Sequence, residues 1–157
     1  MADRYAATGA EAEFEPGSRG RVLRNLLGIR SVREMERVES EELLATTRRA
    51  IEDTDADQRF VADQICRLHR AWLGKIYPWA GQYRSVNISK GDFPFAAASQ
   101  VPRLMERLER EQLREHTPCR AGPVGDEVQL GLAAVHVELV LIHSFRDGNG
   151  RWARLQR

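Results

Sequence analysis

Near the C-terminus, the run His143 to Arg154 reads HSFRDGNGRWAR and holds a histidine, an aromatic ring, a carboxylate, a Gly-Asn-Gly triplet and two arginines. These are the parts that phosphate chemistry uses. A glycine-rich turn lets backbone N–H groups approach an anion closely. A helix beginning near Gly150 would aim its unpaired N–H groups and the positive end of its dipole at a bound phosphate. Arg151 and Arg154, three apart, share one helix face, and their planar guanidinium groups match phosphate oxygens. Asp147 offers a hard oxygen of the kind Mg²⁺ takes when one or two carboxylates and a nucleotide's phosphates share the ion. His143 can take up a proton at neutral pH, which makes it the candidate general base. A histidine at a helix C-terminus can also simply complement the dipole; the DGNGRxxR that follows favours chemistry.

The stretch resembles the signature of the Fic family, His-x-Phe-x-Asp/Glu-Gly-Asn-Gly/Lys-Arg-x-x-Arg. Every specified position is filled, by His143, Phe145, Asp147, Gly148, Asn149, Gly150, Arg151 and Arg154. Ser144 departs from the proline that many members carry. The resemblance implies an all-α, mainly helical domain with one β-hairpin flap. It also implies transfer of AMP from ATP to a Ser, Thr or Tyr hydroxyl of another protein. In that scheme His143 is the general base, Asp147 holds Mg²⁺, and Gly148, Asn149, Gly150 and Arg151 cradle the phosphates. Arg154 supports them and Phe145 is a buried anchor. Gly150 stands where the Doc-type phosphotransferase branch has lysine, which favours nucleotidyl transfer. The alternatives are a phosphotransferase or another nucleotidyl or phosphoryl transferase of the Fic-Doc family, and a nucleotide-binding module without catalysis. Many relatives are restrained by a helix bearing Ser/Thr-x-x-x-Glu-Gly/Asn, whose glutamate pairs with the second motif arginine, here Arg154. No serine or threonine of this chain is followed four positions on by glutamate. The expectation is a toxin-like enzyme without inhibition in cis, held by a separate antitoxin-like partner.

Stepping along the chain, the elements that must position these residues are mostly helices. Ser31 with Glu34 is a capping-box signature for a helix reaching about Glu52. Asp55 or Asp57 is the expected cap of the next, in which Val61, Ile65, Leu68 and Trp72 repeat before Gly74; His69 there reads as exposed. Ser99 is the expected cap of a third, with Pro102 tolerable in its first turn. HTPCRAGPVGD is a loop, with His116 exposed in it. DEVQLGLAAVHVELVLI is apolar on nearly all sides, which predicts a central buried helix that ends at His143 and keeps His136 in the core. Between the second and third helices, YPWAGQYR reads as an aromatic corner. RSVNISKGDFPFA alternates as a hairpin turning at Ser89 to Asp92. A lone hairpin has unpaired edges. Its likeness to the family's flap implies that Val86, Asn87, Ile88, Ser89, Lys90 and Gly91 dock an extended target by strand addition.

At 157 residues the chain fits one domain. The expected division is a flexible N-terminal segment over residues 1–20 and the Fic domain over 21–157, with the last helix truncated relative to the family. The Asn25 to Ile29 stretch, NLLGI, is another point of likeness. A net charge of +1 without a basic block argues against nucleic-acid binding and membrane association. Cys66 and Cys119 have no metal-ligand spacing; Cys66 reads as a core residue and Cys119 as a loop residue. The expected compartment is the cytoplasm, compatible with delivery into another cell by a route that leaves no signal peptide.

Overall fold

The computed structural model describes residues 6–7, 10–118 and 126–152. The Ser31 hydroxyl accepts the Glu34 N–H at 3.4 Å, and α1 (Val32–Asp53) starts there and ends within a residue of the expected boundary. The expected cap of α2 (Ala62–Leu73) is displaced. Asp55 makes a turn, accepting from Gln58 N–H, and α2 starts after Val61. Its first amides are satisfied by Gln64 Oε1, which accepts Val61 N–H at 3.0 Å, and by Glu109 Oε2, which accepts Ala62 N–H at 2.9 Å. The second acceptor lies 47 residues away in sequence, so a local reading of caps has no access to it.

Ile65, Trp72 and Leu73 of α2 are completely buried. The Trp72 indole N–H donates to the Glu39 carbonyl at 2.8 Å and ties α2 to α1. The third helical stretch opens with a 3₁₀ turn (Ala98–Gln100) that leads into α3 (Val101–Leu108). It then runs through a π turn (Glu109–Leu113) into the short α4 (Arg114–His116). Val101, Met105, Leu108 and Leu113 form its buried side.

α5 (Asp126–Ile142) delivers His143 to its C-terminal end as expected, and packs on α3 and α4 through Val135, Leu139 and Ile142. It is not buried all round: among the described residues Leu130, Val137 and Leu141 are 68%, 52% and 47% exposed. An apolar run without a period records that a helix can be buried, while the facing elements decide which side is. α6 (Asn149–Trp152) follows the motif turn. The expected truncation of this helix lies at residues 153–157, outside the described residues.

The hairpin forms where alternation predicts it, as β2 (Ile88–Lys90) and β3 (Phe93–Pro94), turning at Gly91 with φ 59°. It is not a lone hairpin. β1 (Ala6–Ala7) pairs antiparallel with β2, Ala6 opposite Ser89, giving a three-stranded sheet in the order β1-β2-β3. The second half of the expected flexible segment is also engaged. Phe14 bridges to Leu23, Glu15 N–H donates to the Val22 carbonyl at 2.8 Å, and Ser18 is buried. Short-range composition carries no trace of such pairings between distant strands. The NLLGI stretch is a turn built on Asn25, whose amide group donates to the Leu23 and Ile29 carbonyls and accepts from Leu27 and Ile29 N–H. Among the described residues, no helix is long and apolar enough to cross a membrane.

Candidate active site

His143 N–H makes the last helical bond of α5, to the Leu139 carbonyl, and His143 then turns out of the helix at φ 52°. That left-handed conformation is uncommon for a residue with a Cβ, and here it reverses the chain into the motif loop. Nδ1 lies 3.1 Å from the Val140 carbonyl, so Nδ1–H donates there and Nε2 is the basic nitrogen. The Phe95 ring, just past β3, stacks on the imidazole with centroids 3.8 Å apart. Burial pushes the His143 pKa down to about 4, with the charges of Arg84 and Lys90 adding to it and the Val140 carbonyl and Asp147 opposing. The ring is therefore neutral at pH 7, the form a general base needs.

Arg84 joins the hairpin to this loop. Its Nε donates to the His143 carbonyl at 2.6 Å, Nη1 to the Val86 carbonyl at 2.7 Å, and Nη2 to the Ala96 and Ile142 carbonyls. Its backbone N–H reaches the Ser144 carbonyl. A buried guanidinium at the C-terminal end of α5 satisfies the orphan carbonyls and complements the dipole. Burial lowers its pKa.

Below the loop, Phe145 is the expected buried anchor, 1% exposed and stacked on the His69 ring at 3.8 Å. His69 is itself fully buried, which overturns the reading of it as exposed. It accepts Gly81 N–H on Nδ1 at 2.9 Å and donates Nε2–H to the Asp147 carbonyl at 3.1 Å. Burial holds its pKa down to about 4 despite the Asp147 carbonyl. The signal was in the sequence: positions 65, 69 and 72 share the apolar face of α2.

Asn149 is buried. Its side chain accepts Phe145 N–H at 2.9 Å and donates to the Phe145 carbonyl at 2.7 Å, so it braces the loop. Gly148 has φ 83°, and a Cβ there would come within 2.7 Å of the Trp72 ring, so two requirements demand glycine. Gly150 is exposed, with open space beside it. Asp147 Oδ1 takes the Gly148 N–H at 2.6 Å, and Oδ2 lies 3.9 Å from Arg151 Nη2.

Arg151 points back into the core. Its Nη1 meets Glu39 Oε2 at 2.6 Å, and its guanidinium carbon lies 5.0 Å from the centre of the Trp72 ring. Burial works against the Arg151 charge, and the Glu39 and Asp147 carboxylates outweigh it, so its pKa is raised. Arg154 lies outside the described residues.

Of the expected flap residues, Val86 and Ile88 are buried, and Asn87 caps the following 3₁₀ turn by accepting Ala98 N–H at 2.9 Å. Ser89 is half-buried, and Lys90 and Gly91 are exposed. His143, Asp147, Gly148, Asn149 and Arg151 come together beside this hairpin. Arg84, Phe95 and Glu39 complete the group and had no sequence motif to mark them.

A helical domain that gathers a neutral histidine, a carboxylate and a braced arginine on one glycine-containing turn, with a hairpin held against the histidine, is the architecture of Fic domains. A family model described as "Fic/DOC family" matches residues 59–156. The chain belongs to the Fic/DOC family. It is 34% identical over 139 residues to the protein adenylyltransferase VbhT of Bartonella schoenbuchensis, covering 85% of this chain and 27% of VbhT. It is 31% identical to a probable protein adenylyltransferase, y4lH, of Sinorhizobium fredii, covering 83% of this chain and 65% of that protein. The chain thus spans about a quarter of the first relative and about two thirds of the second. A crystal structure of the N-terminal Fic domain of a Bartonella quintana VirB-translocated effector with bound ADP superposes with a TM-score of 0.71. It is 24% identical, covering 91% of this chain and 72% of that one. A Bartonella tribocorum effector structure with bound AMPPNP gives a TM-score of 0.68 at 22% identity, covering 85% and 70%.

Proposed function

We propose that this chain is a protein adenylyltransferase that moves AMP from ATP to a Ser, Thr or Tyr hydroxyl of a target protein. The observation that carries the reading is the buried His143, its Nδ1 on the Val140 carbonyl, at the turn that also presents Asp147 and Arg151. The names of the relatives and the nucleotides bound to two structural neighbours support it. In the reaction the target oxygen attacks the α-phosphorus, the bond to the pyrophosphate oxygen breaks, and His143 Nε2 takes the hydroxyl proton. Arg151, the amides of residues 149 and 150 and Arg154 stabilise charge on the leaving pyrophosphate, while the Gly148 amide holds Asp147 Oδ1. Mg²⁺ fits the donor chemistry here. Asp147 supplies one carboxylate, partly exposed on the motif turn, of the kind that would share the ion with a nucleotide's phosphates. Bound there, it would neutralise phosphate charge.

The protein acts in the cytoplasm, its own cell's or that of a cell into which it is delivered. A separate antitoxin-like partner restrains it. Incubating the purified chain with a cell lysate and ATP labelled on either the α- or the γ-phosphate tests the reading. Label from the α position alone is the expected result; label from the γ position would make the chain a phosphotransferase instead.

A further inference from the structure

We infer that Glu39, on α1 and outside the motif, is a positioning residue for Arg151: it holds the guanidinium from the core side so that the outer edge faces the nucleotide phosphates. This rests on the adenylyltransferase reading. Glu39 is 4% exposed in the middle of α1. Both of its oxygens are engaged. Oε2 takes Arg151 Nη1 at 2.6 Å, and Oε1 accepts the Tyr77 hydroxyl at 2.8 Å. Tyr77 is stacked on Trp79 at 4.5 Å, and the Glu39 backbone is fixed by the Trp72 indole, so the carboxylate is held from three sides.

A buried carboxylate is costly to desolvate and is retained where it does something a hydrophobe cannot. Here it removes one face of a long, rotamer-rich side chain from play. The guanidinium lies over the Trp72 ring, one edge on Glu39, with Nη2 toward Asp147. Arg151 is 28% exposed at its side chain, so its remaining donors reach the surface that the motif turn presents. Preorganising those donors before nucleotide arrives lowers the ordering cost of binding and aims the charge at the oxygens that develop it. A charged donor without its buried partner would sample other rotamers and lose that advantage.

The test uses the full chain and reads nucleotide binding, with transfer as a separate measurement. A non-hydrolysable ATP analogue and AMP are titrated against wild type, Glu39→Gln, Arg151→Ala and the double variant. Glutamine keeps the shape and the Tyr77 contact while removing the charge. The expected result is a loss of about tenfold in analogue affinity for Glu39→Gln, the scale of one charge-assisted hydrogen bond, with AMP affinity unchanged. That loss vanishes in the Arg151→Ala background, because Glu39 acts through Arg151. Unchanged or tighter analogue binding, equal loss for AMP, or additive losses in the double variant would overturn the inference. If Glu39→Gln does not fold, Tyr77→Phe provides the same comparison, with a smaller loss of the same selectivity expected. A wild type that binds neither nucleotide sinks the functional reading and this inference with it; a wild type that binds the analogue while the glutamine variant binds it equally sinks this inference alone.

Discussion

At the scale of single residues, the proposed chemistry concentrates on His143. With Nδ1–H held by the Val140 carbonyl, its base function falls to Nε2, which acts on the target hydroxyl and not on ATP. His143→Ala is therefore expected to lower transfer by ~10² to 10⁴, the usual contribution of such a base. Nucleotide affinity should stay close to wild type. Labelling rates and a binding titration on the same variant check both halves.

The pH behaviour follows from burial. His143 and His69 both titrate near 4 in the folded state and near the ordinary 6.5 when unfolded. Between those values the unfolded chain binds more protons, so stability is full above pH 6.5 and is lost as pH falls toward 4. The shift of each group corresponds to at most about 3 kcal/mol. Urea midpoints at pH 7 and pH 5 should differ in that direction. Transfer rate should show no inflection near 6.5, since the base is already neutral there. An acid limb centred at 6.5 would mean that His143 is charged at neutral pH and that its environment opens in solution.

Gly148 gives a third residue-scale expectation. Alanine there meets a φ of 83° and the ring of a fully buried Trp72. The backbone strain alone costs about 1 to 3 kcal/mol, and a ring with no room to retreat adds to it. Gly148→Ala should lower the urea midpoint and reduce transfer at least about tenfold, because the same turn carries Asp147 and Arg151. Gly150→Ala, beside open space, should be far milder in stability.

At the scale of elements, the hairpin is held by the His143 end of α5, through Arg84 and the Phe95 stack on His143. If it docks targets by strand addition, breaking its strand should cut labelling of protein targets and spare nucleotide binding. Ser89→Pro is the suitable probe. Ser89 is half-buried and pairs on both sides, with Ala6 and Pro94, whereas Ile88 is 3% exposed and proline there would also open the core. Equal loss of labelling and binding would make the hairpin scaffold. Because β1 already covers the β2 edge, a target using that edge must displace it, and deleting residues 1–9 should then raise labelling.

The same elements show what sequence could and could not tell. Helix α1, the hairpin and the arrival of His143 at the end of α5 were legible because caps, alternation and an apolar run are local signals. The start of α2 was not, since one of its caps is Glu109, nor was the exposed face of α5, which depends on what packs against it. The motif residues were legible by their type and spacing. Glu39, Arg84 and Phe95 were invisible because each meets the site only through the fold, and Glu39 lies 112 residues from its arginine. His69 is buried against the expectation of exposure, and its place on the apolar stripe of α2 is the local signal for that burial.

At the scale of the whole molecule the question is restraint. The inhibitory pattern of many relatives is absent from the sequence, since no serine or threonine is followed four residues later by glutamate. Among the described residues, Glu39 reaches the motif arginine Arg151, and it also accepts from Tyr77 inside the core. That is the environment of a fixed brace. A brake must leave when substrate arrives, and removing this buried carboxylate from Arg151 would strand a charge on each side. The purified chain is therefore expected to transfer AMP without any activating substitution. Glu36→Ala, on the exposed side of α1, should change nothing, and Glu39→Ala should lower the rate. Expressed alone in cells, the wild type should slow growth, while His143→Ala, made at the same level, should not. Growth curves and labelling assays on these variants decide it: a sharp rise in rate on removing Glu39 would show that α1 carries the brake in cis, and no external partner would then be needed.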